Sequence, residues 1–257
     1  MNVFFQVIGA IVIGYSALLL AQHQQRNSKY VGCAAATTEM MKHECWDAVE
    51  SNYVFIHNAF RNDLQRMINA AKDNKLIPSE LENWSDTLDL HSRFEDEVIV
   101  VALQARLKHL DSTDVIPNEL LSGNDHVQIK ELVQLSLNET DNIKQMKLLE
   151  GLAVTLDTHL KKEEKSMTRL LMKHFSRREL WAIDSFVVNP KLSYCDKDTL
   201  VKITLWWFNN ISLGEASRLM VNFIKVGIQS PMQVEKWKDL QADIPALQNY
   251  PVEDIMS

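Results

Sequence analysis

Apolar side chains recur at helical spacing along most of this chain, and clusters of breakers mark where each run stops. Over 45–75, Trp46, Val49, Tyr53, Ile56, Phe60, Leu64, Met67 and Ile68 fall on one face of a helix. "LIPSELENW" interrupts that stripe, and Pro78 followed by Ser79 predicts a restart. The spacing predicts a second helix over 79–109, a third over 124–138 and a fourth over 141–173. "DSTDVIPNELLSGND" connects the second to the third, with Pro117 and Gly123 as breakers, and "NETDN" separates the third from the fourth. After "HFSRREL" come further amphipathic segments at 177–188, 196–210, 213–228 and 231–240. No strand alternation competes with these patterns. The expected fold is all-α, an up-down-up-down four-helix bundle with a C-terminal helical extension.

The first residues break the pattern. "VFFQVIGAIVIGYSALLLA", residues 3–21, carries no charged side chain. As a helix it spans roughly 28 Å, close to a bilayer core of roughly 30 Å. A cleaved leader needs a shorter apolar run preceded by Lys or Arg. Here nothing basic precedes it, whereas Arg26 and Lys29 follow it. The reading is a single-pass membrane anchor with the rest of the chain on the cytoplasmic side. A leader that is cleaved for secretion, or directs the chain to an organelle, is the alternative. The division expected is an anchor at 1–24, a polar linker at 25–44, the bundle at 45–176 and the extension at 177–257.

Composition narrows the class further. Across 257 residues, 46% are hydrophobic and 24% charged, while Gly (7) and Pro (6) are scarce, as suits long helices. A net charge of −7 without a basic patch argues against nucleic-acid binding. Cys33, Cys45 and Cys195 form no CxxC pair, which argues against a zinc ribbon or disulfide framework and for a reducing compartment.

The histidines carry the chemistry. His57, His91, His126 and His159 fall one per predicted core helix, at separations of 34, 35 and 33 residues. One helix plus one short loop has about this length, so antiparallel neighbours bring all four to one level of a bundle. "HSRFE" adds Glu95 one turn after His91, and "HLKKE" adds Glu163 one turn after His159. Imidazoles as terminal ligands with carboxylates as bridges suit iron, with manganese or zinc as competitors. The opposing reading is ordinary: a lone histidine such as His57 usually sits in a core or on a surface. Glu95 and Glu163 lie in charge runs, "EDE" and "KKEEK", which usually face water.

These residues resemble the hemerythrin HHE cation-binding family, and most of all the hemerythrin-like domains of iron-sensing ubiquitin ligases from plants and animals. "HSRFEDEVIVVAL" is similar to the plant pattern H-S-x-x-E-D-E-[VI]-x-F-P-A-L, and "THLKKEEKSMTRLLMKHFSRRELW" to H-x-x-x-E-E-x-x-x-x-P-L-x-x-x-H-F-S. "LVKITLWWFNNISLGEASRLMVNFI" resembles the helical tail that follows that domain, so the likeness covers roughly 45–240. It implies a diiron centre held by His57, His91, Glu95, His126, His159 and Glu163, both glutamates bridging. Glu164 is the alternative carboxylate should the helix phase differ. His43, His109 and His174 match no ligand position, and His174 is expected to be structural. The chain departs from the oxygen carriers at Lys130, where they place a second histidine of the third helix, and this favours a sensor-type site. It departs from the plant pattern at Val100 and Val101, where Phe-Pro is usual. No RING-like Cys/His array or F-box is readable, so the ligase activity itself is not expected.

Three functions follow as expectations. The first is a membrane-tethered protein that senses, buffers or stores iron, with dioxygen as a further ligand and an unknown protein partner. The second is a diiron oxidase- or peroxidase-type enzyme, although no additional acid, base or nucleophile cluster points to a substrate. The third is a metal-free helical module that binds partners through the aromatic tail around Trp206, Trp207 and Phe208.

Overall fold

The computed structural model describes residues 38–121, 123–187 and 197–228. The apolar run at 3–21 and the helix expected at 231–240 lie outside the described residues. Among the described residues every element is helical, none is a strand, and no helix is long and apolar enough to cross a membrane.

Four rods make the core. The first runs from Trp46–Glu50 through a π-helical segment, Ser51–Phe55, into Ile56–Lys72. The second is Pro78–Phe94, a π-helical segment Glu95–Ile99, and Val100–His109. Asn124–Asn138 is the third and Asn142–His174 the fourth. The first rod packs on the second and the fourth, and the third packs on the second and the fourth. The space they enclose is filled by residues such as Phe60, Trp84, Leu103, Leu149 and Leu152, all fully buried.

Local chemistry sets the rod ends. The first rod stops at Asn74, whose backbone is left-handed (φ 56°), and Lys75 N–H returns to the Ala70 carbonyl at 2.8 Å. The second stops the same way at Asp111 (φ 49°), with Ser112 N–H on the Leu107 carbonyl at 3.0 Å. Pro78 opens the second rod at its first turn, where a missing N–H costs nothing. The fourth begins at Asp141, whose carboxylate accepts from the Ile143 and Lys144 amides at 2.9 and 3.0 Å.

The two π-helical segments were not foreshadowed by the helical spacing. Each widens the turn by a residue. In the second rod this keeps Phe94, Glu95, Val98, Ile99, Ala102 and Leu103 all buried. Glu95 goes inward while its neighbours Asp96 and Glu97 stay exposed.

The first rod is buried all round from Tyr53 to Phe60, as its "YVFIHNAF" composition demands. One side faces the other rods and the other is covered by the tail helices Lys197–Asn209 and Leu213–Ile228. Polar groups on that outer side are matched by the tail. Trp206 Nε1–H donates to Asp63 at 2.7 Å, Asn58 donates to Glu215 at 2.7 Å, and Glu50 meets Arg218 and Asn222, both at 3.1 Å. Trp207 and Phe208 are buried, and the Trp206 ring sits 4.9 Å from that of Phe60. Trp206 thus packs against the first rod, while Trp207 and Phe208 lie in the buried core.

Candidate metal centre

His57 comes from the first rod, just after its π-helical segment. His91 and Glu95 come from the second, His126 from the third, and His159 with Glu163 from the fourth. The structure brings all six together. His57 Nε2 lies 3.1 Å from His91 Nε2, and His126 Nε2 lies 2.9 Å from His159 Nε2. The two carboxylates stand between these pairs. Glu163 Oε1 is 2.9 Å from His159 Nε2 and 3.8 Å from His126 Nε2, while its Oε2 is 3.6 Å from His57 Nε2. Glu95 Oε1 lies 3.5 Å from His91 Nε2 and 3.9 Å from His57 Nε2. Two groups of ligand atoms result, His57–His91–Glu95 and Glu95–His126–His159–Glu163, each with its atoms within 4.8 Å of one another.

These residues can hold metal ions. Ligands about 2.1 Å from one ion lie roughly 3–3.4 Å apart in octahedral or tetrahedral geometry, which is the spacing of the two imidazole pairs. Both oxygens of Glu95 and Oε2 of Glu163 are buried without a hydrogen-bond donor. Stranded acceptors of this kind cost about 1–3 kcal/mol each, more when charged.

Protonation shows the strain of the metal-free state. Burial, then the negative charge of Glu163, drives Glu95 well above the ordinary carboxylate range. Burial also pushes Glu163 up, but the contact with His159, then His57 and His91, outweighs it and holds Glu163 low. His159 is held above its usual value: burial lowers it, and Glu163 and Asp125 more than reverse this. Burial and the neighbouring His57 keep His91 neutral. Glu95 therefore keeps its proton past the pH at which a solvated carboxyl loses it, and an incoming cation has to displace that proton. The expected result is metal affinity that rises with pH above the ordinary carboxylate range, measured by chelator competition. A pH-independent affinity would contradict it. The same raised value makes the metal-free fold lose stability as pH rises through the range where Glu95 ionises.

A second ring of carboxylates orients the imidazoles. Glu164 Oε1 lies 3.1 Å from His57 Nδ1, Asp96 Oδ2 3.1 Å from His126 Nδ1, and Asp125 Oδ2 3.3 Å from His159 Nδ1. A carboxylate on Nδ1 keeps its proton there and leaves Nε2 as a lone-pair donor facing inward. Glu164, the alternative bridging carboxylate, is thus turned to the outer nitrogen of His57. It is also tied to Arg61, whose Nε reaches Asp157 at 2.9 Å. Glu164→Gln is expected to weaken metal binding about 10–100-fold with the number of bound ions unchanged. Loss of an ion would instead make Glu164 a ligand.

Among the described residues, the other histidines lie outside this cluster. His174 pairs with Asp114 at 2.6 Å beside Lys173, and His43 Nδ1 accepts from the Cys45 amide at 3.2 Å. Lys130, one turn after His126, points away to Asp89 at 2.7 Å. Sequence reasoning missed Asp96, Asp125, Arg61 and Asp157. Two of these stand beside ligands, in "ED" and "DH", and that adjacency was the available signal. No family model, curated protein or solved structure matches this chain.

Proposed function

We propose that this protein binds a pair of iron ions in a hemerythrin-like, up-down-up-down four-helix bundle, and that it senses, buffers or stores iron at a membrane. The observation that carries this reading is the position of Glu95 and Glu163. Each lies buried within reach of both imidazole pairs, with oxygens that no protein donor satisfies. Two cations would supply what those oxygens lack, with His57, His91, His126 and His159 as imidazole donors and Glu95 and Glu163 as carboxylate donors. Six ligands from four separate rods make occupancy and rod packing interdependent, which is the property a sensor needs. Rods joined at 73–77 and 139–141 by a few residues, and packed as sequence neighbours, support the antiparallel order. The uncharged run at 3–21 supports attachment to a membrane.

Anaerobic titration of the full-length chain with ferrous iron tests the reading. Binding is expected to saturate at two ions per chain. Saturation at one ion or fewer would overturn it.

A further inference from the structure

The six ligands are not equally sheltered. The side chain of His57 is fully buried, those of Glu95, Glu163 and His159 are 4–5% exposed and that of His91 10%, whereas His126 is 17% exposed. His126 alone among them lines a cleft of about 210 Å³ between the second and third rods. Asp89, Ser92 and Asp96 contribute from the second rod, and Ile129 and Lys130 from the third. Two polar bridges cross this cleft. Asp96 Oδ2 meets His126 Nδ1 at 3.1 Å near the ligands, and Lys130 Nζ meets Asp89 Oδ2 at 2.7 Å further out. The tail helices cover the outer side of the first rod, and the Phe60 ring packs 5.5 Å from that of His91.

We infer that cations reach the site through this cleft, with His126 as the last group they pass and Lys130 as a brake at the mouth. The inference rests on the metal-binding reading above. A divalent cation crossing the cleft meets the carboxylates of Asp89 and Asp96 two turns apart on one rod, which is a path of anionic oxygens suited to a hard cation. The Lys130 ammonium opposes it twice. It repels the cation, and it occupies the outer carboxylate. Arg93, which also lines the cleft, reaches Glu97 one turn along its own rod at 3.3 Å, so its charge is offset locally. The Asp96 bond at Nδ1 holds the His126 ring across the inner end. The ring can turn aside when that bond opens, and reclose with Nε2 inward. The half-exposed position of Asp96 leaves it able to do so without unpacking the core.

Loading kinetics separate this from equilibrium binding. Ferrous iron is mixed anaerobically with the metal-free, full-length protein, and uptake is followed by competition with a chromogenic ferrous chelator. Lys130→Met removes the charge and keeps the stem, while Ser92→Phe fills the cleft. Wild type and Lys130→Met are expected to bind the same two ions. Lys130→Met should load about three- to tenfold faster at low ionic strength, with the difference shrinking in about 0.5 M salt. Ser92→Phe should load at least about tenfold more slowly to the same endpoint. Unchanged rates in Lys130→Met, with two ions bound, would overturn the route while leaving the metal site intact. A wild type that takes up no iron would overturn both.

Discussion

Stripping the metal from the full-length chain should lower its melting temperature by roughly 8–16 °C per ion at a free concentration a thousandfold above Kd. Binding at that excess contributes about 4 kcal/mol. In a helical body of this size each kcal/mol corresponds to about 2–4 °C. The physical cause is at the centre of the core. Without cations, Glu95 and Glu163 face each other and four imidazoles, with three buried oxygens lacking donors. Only a retained proton on Glu95 and an ion pair between His159 and Glu163 relieve this. Cations bound there would replace both, with ligands drawn from every rod at once. Calorimetry with and without a strong chelator measures it. A melting temperature that moves by less than about 2 °C would favour a metal-free helical module.

The next largest effect belongs to Glu163. Its two oxygens divide between the imidazole pairs, one toward His126 and His159 and the other toward His57. Glu163→Gln removes the shared negative charge, so both ions are expected to be lost at micromolar iron. His91→Ala is different. It takes one imidazole from the His57 pair and leaves His126, His159 and Glu163 as they were. One ion per chain should remain. Metal analysis of the two purified variants distinguishes a shared carboxylate from a local ligand. A Glu163→Gln protein that keeps one tightly bound ion would show that the carboxylate serves only one side. Circular dichroism provides the folding control, since loss of helix in Glu163→Gln would explain lost metal without any bridge.

Much of this was legible in the chain because two periodicities agree. The apolar stripe located four helices, and histidines 33 to 35 residues apart fell at one height along them. The one-turn spacing put Glu95 beside His91 and Glu163 beside His159. What the spacing could not reveal is which residues reach across to another rod. Asp96 and Asp125 lie in ordinary polar surroundings, and only packing shows them meeting His126 and His159. Glu164 adjoins Glu163 in sequence, and the helix phase that sends one inward and the other to His57 Nδ1 depends on the exact turn of the fourth rod. The π-helical segments escape for the same reason, because one extra residue per turn barely disturbs an apolar pattern. The tail was half legible. A first rod apolar on every side requires a second covering surface, yet nothing local says that Trp206, Glu215 and Asn222 provide it.

An anomalous-difference map at the iron edge, from crystals of the iron-loaded full-length chain, bears most directly on the paired site. Two peaks about 3.5–4 Å apart are expected. One should lie against His57 and His91 and the other against His126 and His159, with Glu95 and Glu163 between them. A single peak, or iron bound away from these six side chains, would contradict a shared two-cation centre.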